Sequence, residues 1–190
     1  RPRFCSEFGF QSLSSRETAA TFCPENALKS GSPEFEWHQK NDGGNARIRE
    51  TMLRYFNPPK DVEAELLLSQ FQQGIAIKMG VEGWRAQRPR CMGTLYWQLN
   101  DNWPVASWSS LEYGGNWKPL HYMAKRFFAP VAVVAQPEIN NGEANIKKGD
   151  IYALNDTAET LKGELLVEYW TYDGRIVSSE KSAVTLSPDS

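Results

Sequence analysis

Residues 91–104 read Cys91-Met92-Gly93-Thr94-Leu95-Tyr96-Trp97-Gln98-Leu99-Asn100-Asp101-Asn102-Trp103-Pro104. The first seven make an apolar run of strand length, and the run issues into two tryptophans, amides and a carboxylate. This mixture suits a sugar, because a flat ring covers the apolar face of a pyranose while Asn100 and Asp101 take its hydroxyls. A core tryptophan followed by an Asn-Asp turn fits the same residues. Upstream, Asp61 is placed to cap a helix with Glu63 and Glu65 in its first turn. Leu68, Phe71, Ile75 and Met79 recur there at helical spacing, and Gly80 is placed to close the helix. Downstream, Pro119 suits a first helical turn, and Leu120, Met123, Ala124, Phe127 and Phe128 form an apolar stripe stopped by Pro130.

A second strand is expected near the start, where Phe4, Ser6, Phe8 and Phe10 alternate around Cys5 and Glu7. Strand, helix, strand, helix at this spacing predicts an α/β arrangement with parallel strands. Between them, Gln11 to Pro59 is polar and weakly periodic, the mark of a long functional loop with helical turns of its own. A boundary is expected near Ala129-Pro130. Residues 1–129 carry a net charge of +3 and six of the seven tryptophans, while residues 130–190 carry −5. Beyond it, Leu165 to Tyr172 is rich in Val, Leu and aromatics, and Asp173-Gly174 before Arg175-Ile176-Val177 signals a two-residue hairpin. Asn141-Gly142 is a second candidate turn. Short strands with regular turns predict the opening of an antiparallel, immunoglobulin-like sandwich.

The 190 residues carry a net charge of −2 and 41% hydrophobic residues. That balance gives no basic field for nucleic acid, and no run of about 18 apolar residues offers a membrane span. Tryptophan stands several-fold above its usual level of roughly one in a hundred. Two distant histidines, His38 and His121, and three cysteines without a CxxC pair make no metal site, and no cofactor motif appears. The chain begins Arg1-Pro2-Arg3-Phe4 without an initiator methionine, and is expected to be an excerpt of a longer protein. Glu7, flanked by aromatics at a strand end, fits a catalytic carboxylate or a buried ion pair.

Arg3-Phe4-Cys5-Ser6-Glu7-Phe8-Gly9-Phe10-Gln11-Ser12 resembles the nucleophile segment of the β-mannosidases of glycoside hydrolase family 2. The stretch from Met92 to Trp103 resembles the same family. So do Trp108, Ser110-Leu111-Glu112-Tyr113-Gly114-Gly115, Trp117-Lys118, Leu120-His121-Tyr122 and Phe127-Phe128-Ala129-Pro130. The likeness covers roughly residues 1–134 in order.

It implies the C-terminal part of a (β/α)8 TIM barrel in residues 1–130 and part of an immunoglobulin-like β-sandwich in residues 131–190. Glu7 would be the catalytic nucleophile at the end of strand seven, and Trp97, at the end of strand eight, an aromatic platform. Asn100, Asp101 and Trp103 would line the adjoining loop, with Trp37 and His38 on the excursion after strand seven and Glu112 in a structural position. The implied substrate is the terminal β-mannose of an oligosaccharide or glycoprotein-derived glycan, cleaved with retention and without cofactor.

The acid/base glutamate would lie before Arg1, so the excerpt alone is expected to be inactive. Family members occur in lysosomes, the periplasm and the cytosol. A β-galactosidase- or β-glucuronidase-like relative and a non-catalytic carbohydrate-binding module are the competing readings. A purely structural sandwich domain would account only for residues 135–190.

Overall fold

The computed structural model describes residues 2–140 and 143–190, so the candidate turn at Asn141-Gly142 lies outside the described residues. The chain divides into two compact units, Arg1–Phe128 and Ala129–Ser190.

In the first unit, β1 (Cys5–Phe8) and β2 (Thr94–Tyr96) pair in parallel, with Cys5 opposite Thr94 and Phe8 opposite Tyr96. Parallel neighbours need a long crossover. Here it holds α1 (Arg16–Ala19), a 3-10 turn at Glu25–Ala27, α2 (Pro33–Trp37), α3 (Gly44–Tyr55) and α4 (Val62–Arg85). The expected functional loop with helical turns therefore contains a full helix, α3. Its buried stripe is narrow, only Asn45, Ile48 and Met52 beyond Gly44, and so gives weak periodicity. Gly43, in the left-handed region at φ +66°, turns the chain into it.

Helix α4 starts as its sequence predicts, with Asp61 accepting a hydrogen bond from the backbone N–H of Ala64 at 2.8 Å. One expectation for it is corrected. The helix runs past Gly80 to Arg85. Gly80 serves instead as a close approach, since a Cβ there would stand 3.1 Å from the ring of Phe8. The helical spacing of the apolar residues holds, and Phe71 is 40%, Ile75 42% and Met79 59% exposed. The buried face is Leu66, Gln70, Gln73, Ile77 and Val81. Its amides are needed because the face lies under irregular loop backbone whose polar groups must be satisfied.

Helix α5 (Pro119–Phe127) matches its predicted stripe, except that Phe128 falls at the C-cap and is exposed. Leu120, Ala124 and Phe127 join Ile77 and Val81 in one apolar cluster, against which Phe8, Phe10, Tyr96 and Met123 pack. A second cluster gathers Leu13, Cys23, Leu28, Phe35, Ile48 and Leu66 under the long excursion. Each such buried side chain contributes roughly 1.5–3 kcal/mol.

The second unit consists of two antiparallel ribbons, β3 (Val131–Asn140) with β4 (Glu143–Asn155) and β5 (Leu161–Trp170) with β6 (Ile176–Leu186). The hairpin signal at Asp173-Gly174 is met with one adjustment. Thr171 N–H donates to the Arg175 carbonyl at 2.9 Å, enclosing three residues rather than two, and Gly174 takes the left-handed position at φ +87°. Asn155 is fully buried and fastens the end of the unit. Its Nδ2 donates to the carbonyls of Glu159 and Ser187, and its backbone exchanges two hydrogen bonds with Ser190.

Gln73 carries the polar face of α4. It is 0% exposed; its Nε2 donates to the Phe10 carbonyl at 2.9 Å and more weakly to those of Ser107 and Ser109, while its Oε1 accepts from Ser12 Oγ at 3.0 Å. Gln73→Met keeps the volume and orphans these groups. It should lower the unfolding free energy by roughly 2–3 kcal/mol, read as a fall in the urea midpoint; an unchanged midpoint would refute the keystone role.

Candidate active site

The two parallel strands end side by side. Trp97 N–H donates to the Phe8 carbonyl at 2.7 Å, so the residue that leaves β2 is stitched to the last residue of β1. Glu7 immediately precedes that last residue, and its side chain is exposed. No ion pair engages it among the described residues, so the buried-pair reading of its sequence context does not apply. Directly after β1 the chain passes so close to β2 that a Cβ on Gly9 would lie 2.7 Å from the Trp97 carbonyl and from the Trp108 ring. Only glycine allows this approach.

Beyond β2 the peptide between Trp97 and Gln98 is cis. Trp97, 49% exposed, borders an open depression of about 460 Å³ lined also by Gln98, Asn100, Asp101 and Asn102. Asn100 is exposed, while Asp101 is tied down. Its Oδ2 accepts from Ser107 Oγ at 2.9 Å and Ser109 Oγ at 2.5 Å, and its Oδ1 from Gln98 Nε2 at 3.1 Å. Asp101 thus shapes the depression it lines.

The excursion after β1 contributes an aromatic wall. The His38 ring stacks between Phe22, at 3.8 Å between centroids, and Trp103, at 4.7 Å. His38 Nδ1 lies 2.5 Å from the Pro104 carbonyl; a carbonyl can only accept, so Nδ1 carries the hydrogen. Trp37 stands 69% exposed, and the Lys40 ammonium sits 4.2 Å from its ring and 5.0 Å from that of Trp103. The structure therefore groups Trp97, Asn100 and Asp101 around one depression and Trp37, His38 and Trp103 in one wall. Among the described residues no group of three or more potential metal ligands occurs, and no helix is long and apolar enough to cross a membrane.

Beneath the loop lies a second carboxylate. Glu112, 3% exposed, accepts from Ser15 N–H and Ser15 Oγ at 2.5 Å each, from Thr18 Oγ1 at 2.6 Å and from Gln70 Nε2 at 3.0 Å. Lys118, 1% exposed, lies within electrostatic reach of Glu112 and Asp101. Sequence reading gives no role to the Lys118 side chain or to the glutamines of α4; the run Ser69-Gln70-Phe71-Gln72-Gln73 is the available signal for the glutamines. Burial pushes the Lys118 ammonium down to about 8, and the two carboxylates recover only part of that cost. Burial also pushes the His121 imidazole down.

The buried charge of Lys118 has a signed consequence. The folded pKa lies below the unfolded one, so the penalty is complete below pH 8 and disappears as pH rises towards 10.5. Compared with Lys118→Met, the protein should gain unfolding free energy on the order of 3 kcal/mol across that window. Chemical denaturation at both ends of the window checks this; parallel profiles for the two proteins would contradict it.

Comparison with known proteins bears on both units. The family described as the mannosidase Ig/CBM-like domain matches residues 147–190. The β-mannosidase of Capra hircus is 38% identical over 148 residues, covering 70% of this chain and 17% of that protein. β-Mannosidase B of Aspergillus fumigatus is 34% identical over 140 residues, covering 72% and 17%. This chain thus spans 17% of the length of these curated relatives. Among solved structures, the β-D-mannosidase of Dictyoglomus thermophilum superposes with a TM-score of 0.86 at 33% identity, over 99% of this chain and 22% of that one. An exo-chitosanase of Amycolatopsis orientalis shares the fold at a TM-score of 0.77 and 15% identity, over 97% and 22%.

Proposed function

This chain belongs to the β-mannosidases of glycoside hydrolase family 2, and we propose that it supplies the nucleophile and part of the sugar platform of a retaining exo-β-mannosidase. One observation carries the reading: Glu7, exposed and unpaired, lies at the end of the strand whose neighbour launches Trp97 and its polar depression. In this reading β1 and β2 are the last two strands of a (β/α)8 barrel, whose catalytic groups project from the carboxyl ends of its strands. A polypeptide of the relatives' length supplies the other strands.

In this reading the chemistry is that of a retaining glycosidase. Glu7 attacks the anomeric carbon of a terminal β-mannose, forming a glycosyl ester as the bond to the leaving oxygen breaks. A second carboxyl group, outside residues 1–190, protonates that oxygen and then takes a proton from the water that hydrolyses the ester. The exposure of Glu7 leaves its carboxylate open to a sugar ring. Trp97 covers the apolar face of that ring, and Asn100 and the loop around Asp101 receive its hydroxyls. The wall of Trp37, His38 and Trp103 borders the remainder of the glycan.

Glu7→Gln should abolish formation of a glycosyl-enzyme with a 2-fluoro-mannoside while mannose binding changes by less than about threefold; labelling of another carboxylate would overturn the assignment. A panel of aryl β-mannosides, β-galactosides, β-glucuronides and β-glucosaminides tests the sugar, and the mannoside is expected to react fastest.

The 190-residue chain on its own should hydrolyse none of them, because two strands cannot close a barrel and leave exposed edges. Turnover by the isolated chain would refute the dependence on a second carboxyl group from elsewhere.

A further inference from the structure

Two carboxylates stand beneath the sugar platform, and their hydrogen-bond partners are neutral. Glu112 takes its four bonds from Ser15, Thr18 and Gln70, and Asp101 its three from Gln98, Ser107 and Ser109. Lys118 enters from the N-cap of α5, its side chain buried and its ammonium without a hydrogen-bond partner among the described residues. An ammonium with three donors, closed off from water and bonded to nothing, is costly to hold. Its backbone is nevertheless fastened there, donating to the Ser110 carbonyl at 3.0 Å.

We propose that Lys118 is a positioning residue for the sugar platform: its buried, unpartnered ammonium, held beneath the loop by its backbone bond to Ser110, sets the course of the loop from Trp97 to Leu111.

The loop is built so that this charge can govern it. Asp101 holds Gln98, Ser107 and Ser109 together, so its carboxylate closes the loop from three sides. Gln98 N–H donates to the Trp108 carbonyl at 3.1 Å, and Asn100 pairs with Leu111, which pairs in turn with Trp117 beside Lys118. Glu112 fastens the far end of the loop to Ser15 and Thr18, on the excursion that leaves β1. Asp101, within the segment that carries Trp97 and Asn100, and Glu112, just beyond it, are the two carboxylates whose charge reaches this cation. The charged groups acting on it are Glu112 and Asp101; α4 presents the uncharged amide of Gln70 to this cluster, and α5 presents His121, whose Nδ1 meets Ser110 Oγ at 3.0 Å. Glu7 is outside the network, because β1 is held by its pairing with β2.

The inference rests on the reading that this loop binds the terminal sugar, and its test separates the two. Lys118→Met would be made in the natural polypeptide that carries this chain and assayed with 4-nitrophenyl β-mannoside at pH 6. KM should rise at least tenfold and kcat fall less than threefold, with no loss of thermal stability. Amide hydrogen exchange over residues 97–111 should accelerate at least tenfold while residues 5–8 stay protected.

In the unaltered enzyme, KM should climb as pH passes 8, and this rise should be absent from the variant. Unchanged exchange over 97–111, or kcat and KM altered in equal measure together with lost stability, would overturn the positioning role. If the variant does not fold, the protection factors over 97–111 in the unaltered protein, corrected for the intrinsic pH dependence of amide exchange, decide alone, and protection that stays constant from pH 6 to 10 refutes the proposal. Failure of the unaltered enzyme to cleave the mannoside would instead sink the functional reading, and the exchange measurements would still judge Lys118.

Discussion

The amide of Gln73 lies where two loop segments cross α4. It reaches the exit of β1 at Phe10 and Ser12, and the returning loop at Ser107 and Ser109. Ser12 and Ser107 also exchange backbone hydrogen bonds at 2.9 and 3.1 Å, so the two segments form a short bridge over α4. Irregular backbone cannot satisfy its own polar groups, and below a loop there is no neighbouring strand to do so. A glutamine on a rigid helix supplies both a donor and an acceptor at fixed positions. Without it, the loops that follow β1 and β2 would lose their common floor, and the groups above would lose their registration.

The same constraint sorts the carboxylates of this region into distinct roles. Glu112 and Asp101 are saturated by donors and act as struts. Glu7 has no such donors and projects from the end of β1. A carboxylate enclosed by hydrogen bonds has few lone pairs left for a substrate, whereas an open one keeps them. The difference arises from packing: three chemically similar side chains are committed to different work by what surrounds them. Lys118 belongs with the struts, and its cost in folding free energy falls where the loop requires a fixed charge.

The strand ends and the starts of α4 and α5 are legible in the sequence, because period-two and helical apolar patterns, an aspartate cap and an N1 proline are local signals. The hairpin at Asp173-Gly174 is legible for the same reason, though its loop is one residue longer than the pattern implies. The buried face of α4 is where pattern reading fails. Phe71, Ile75 and Met79 look like a core stripe by hydrophobicity, yet they face outward, while Gln70 and Gln73 are buried. A pattern argument scores apolarity and is blind to a face that must supply hydrogen bonds. Helix α3 is obscured for a related reason, since one narrow stripe of Asn45, Ile48 and Met52 suffices to hold it.

By itself, the sequence determined the family, the two strand ends with Glu7 and Trp97, and the change of character near Ala129-Pro130, because these reside in contiguous stretches of text. Tertiary structure alone decided that Glu7 stands open while Asp101 and Glu112 are enclosed, and that His38 is stacked between Phe22 and Trp103. It alone buried Lys118 within electrostatic reach of both hydrogen-bonded carboxylates. Those outcomes depend on donors and rings from segments far apart in the chain. A side chain's availability is set by its neighbours in space, and the one-dimensional order of residues does not state them.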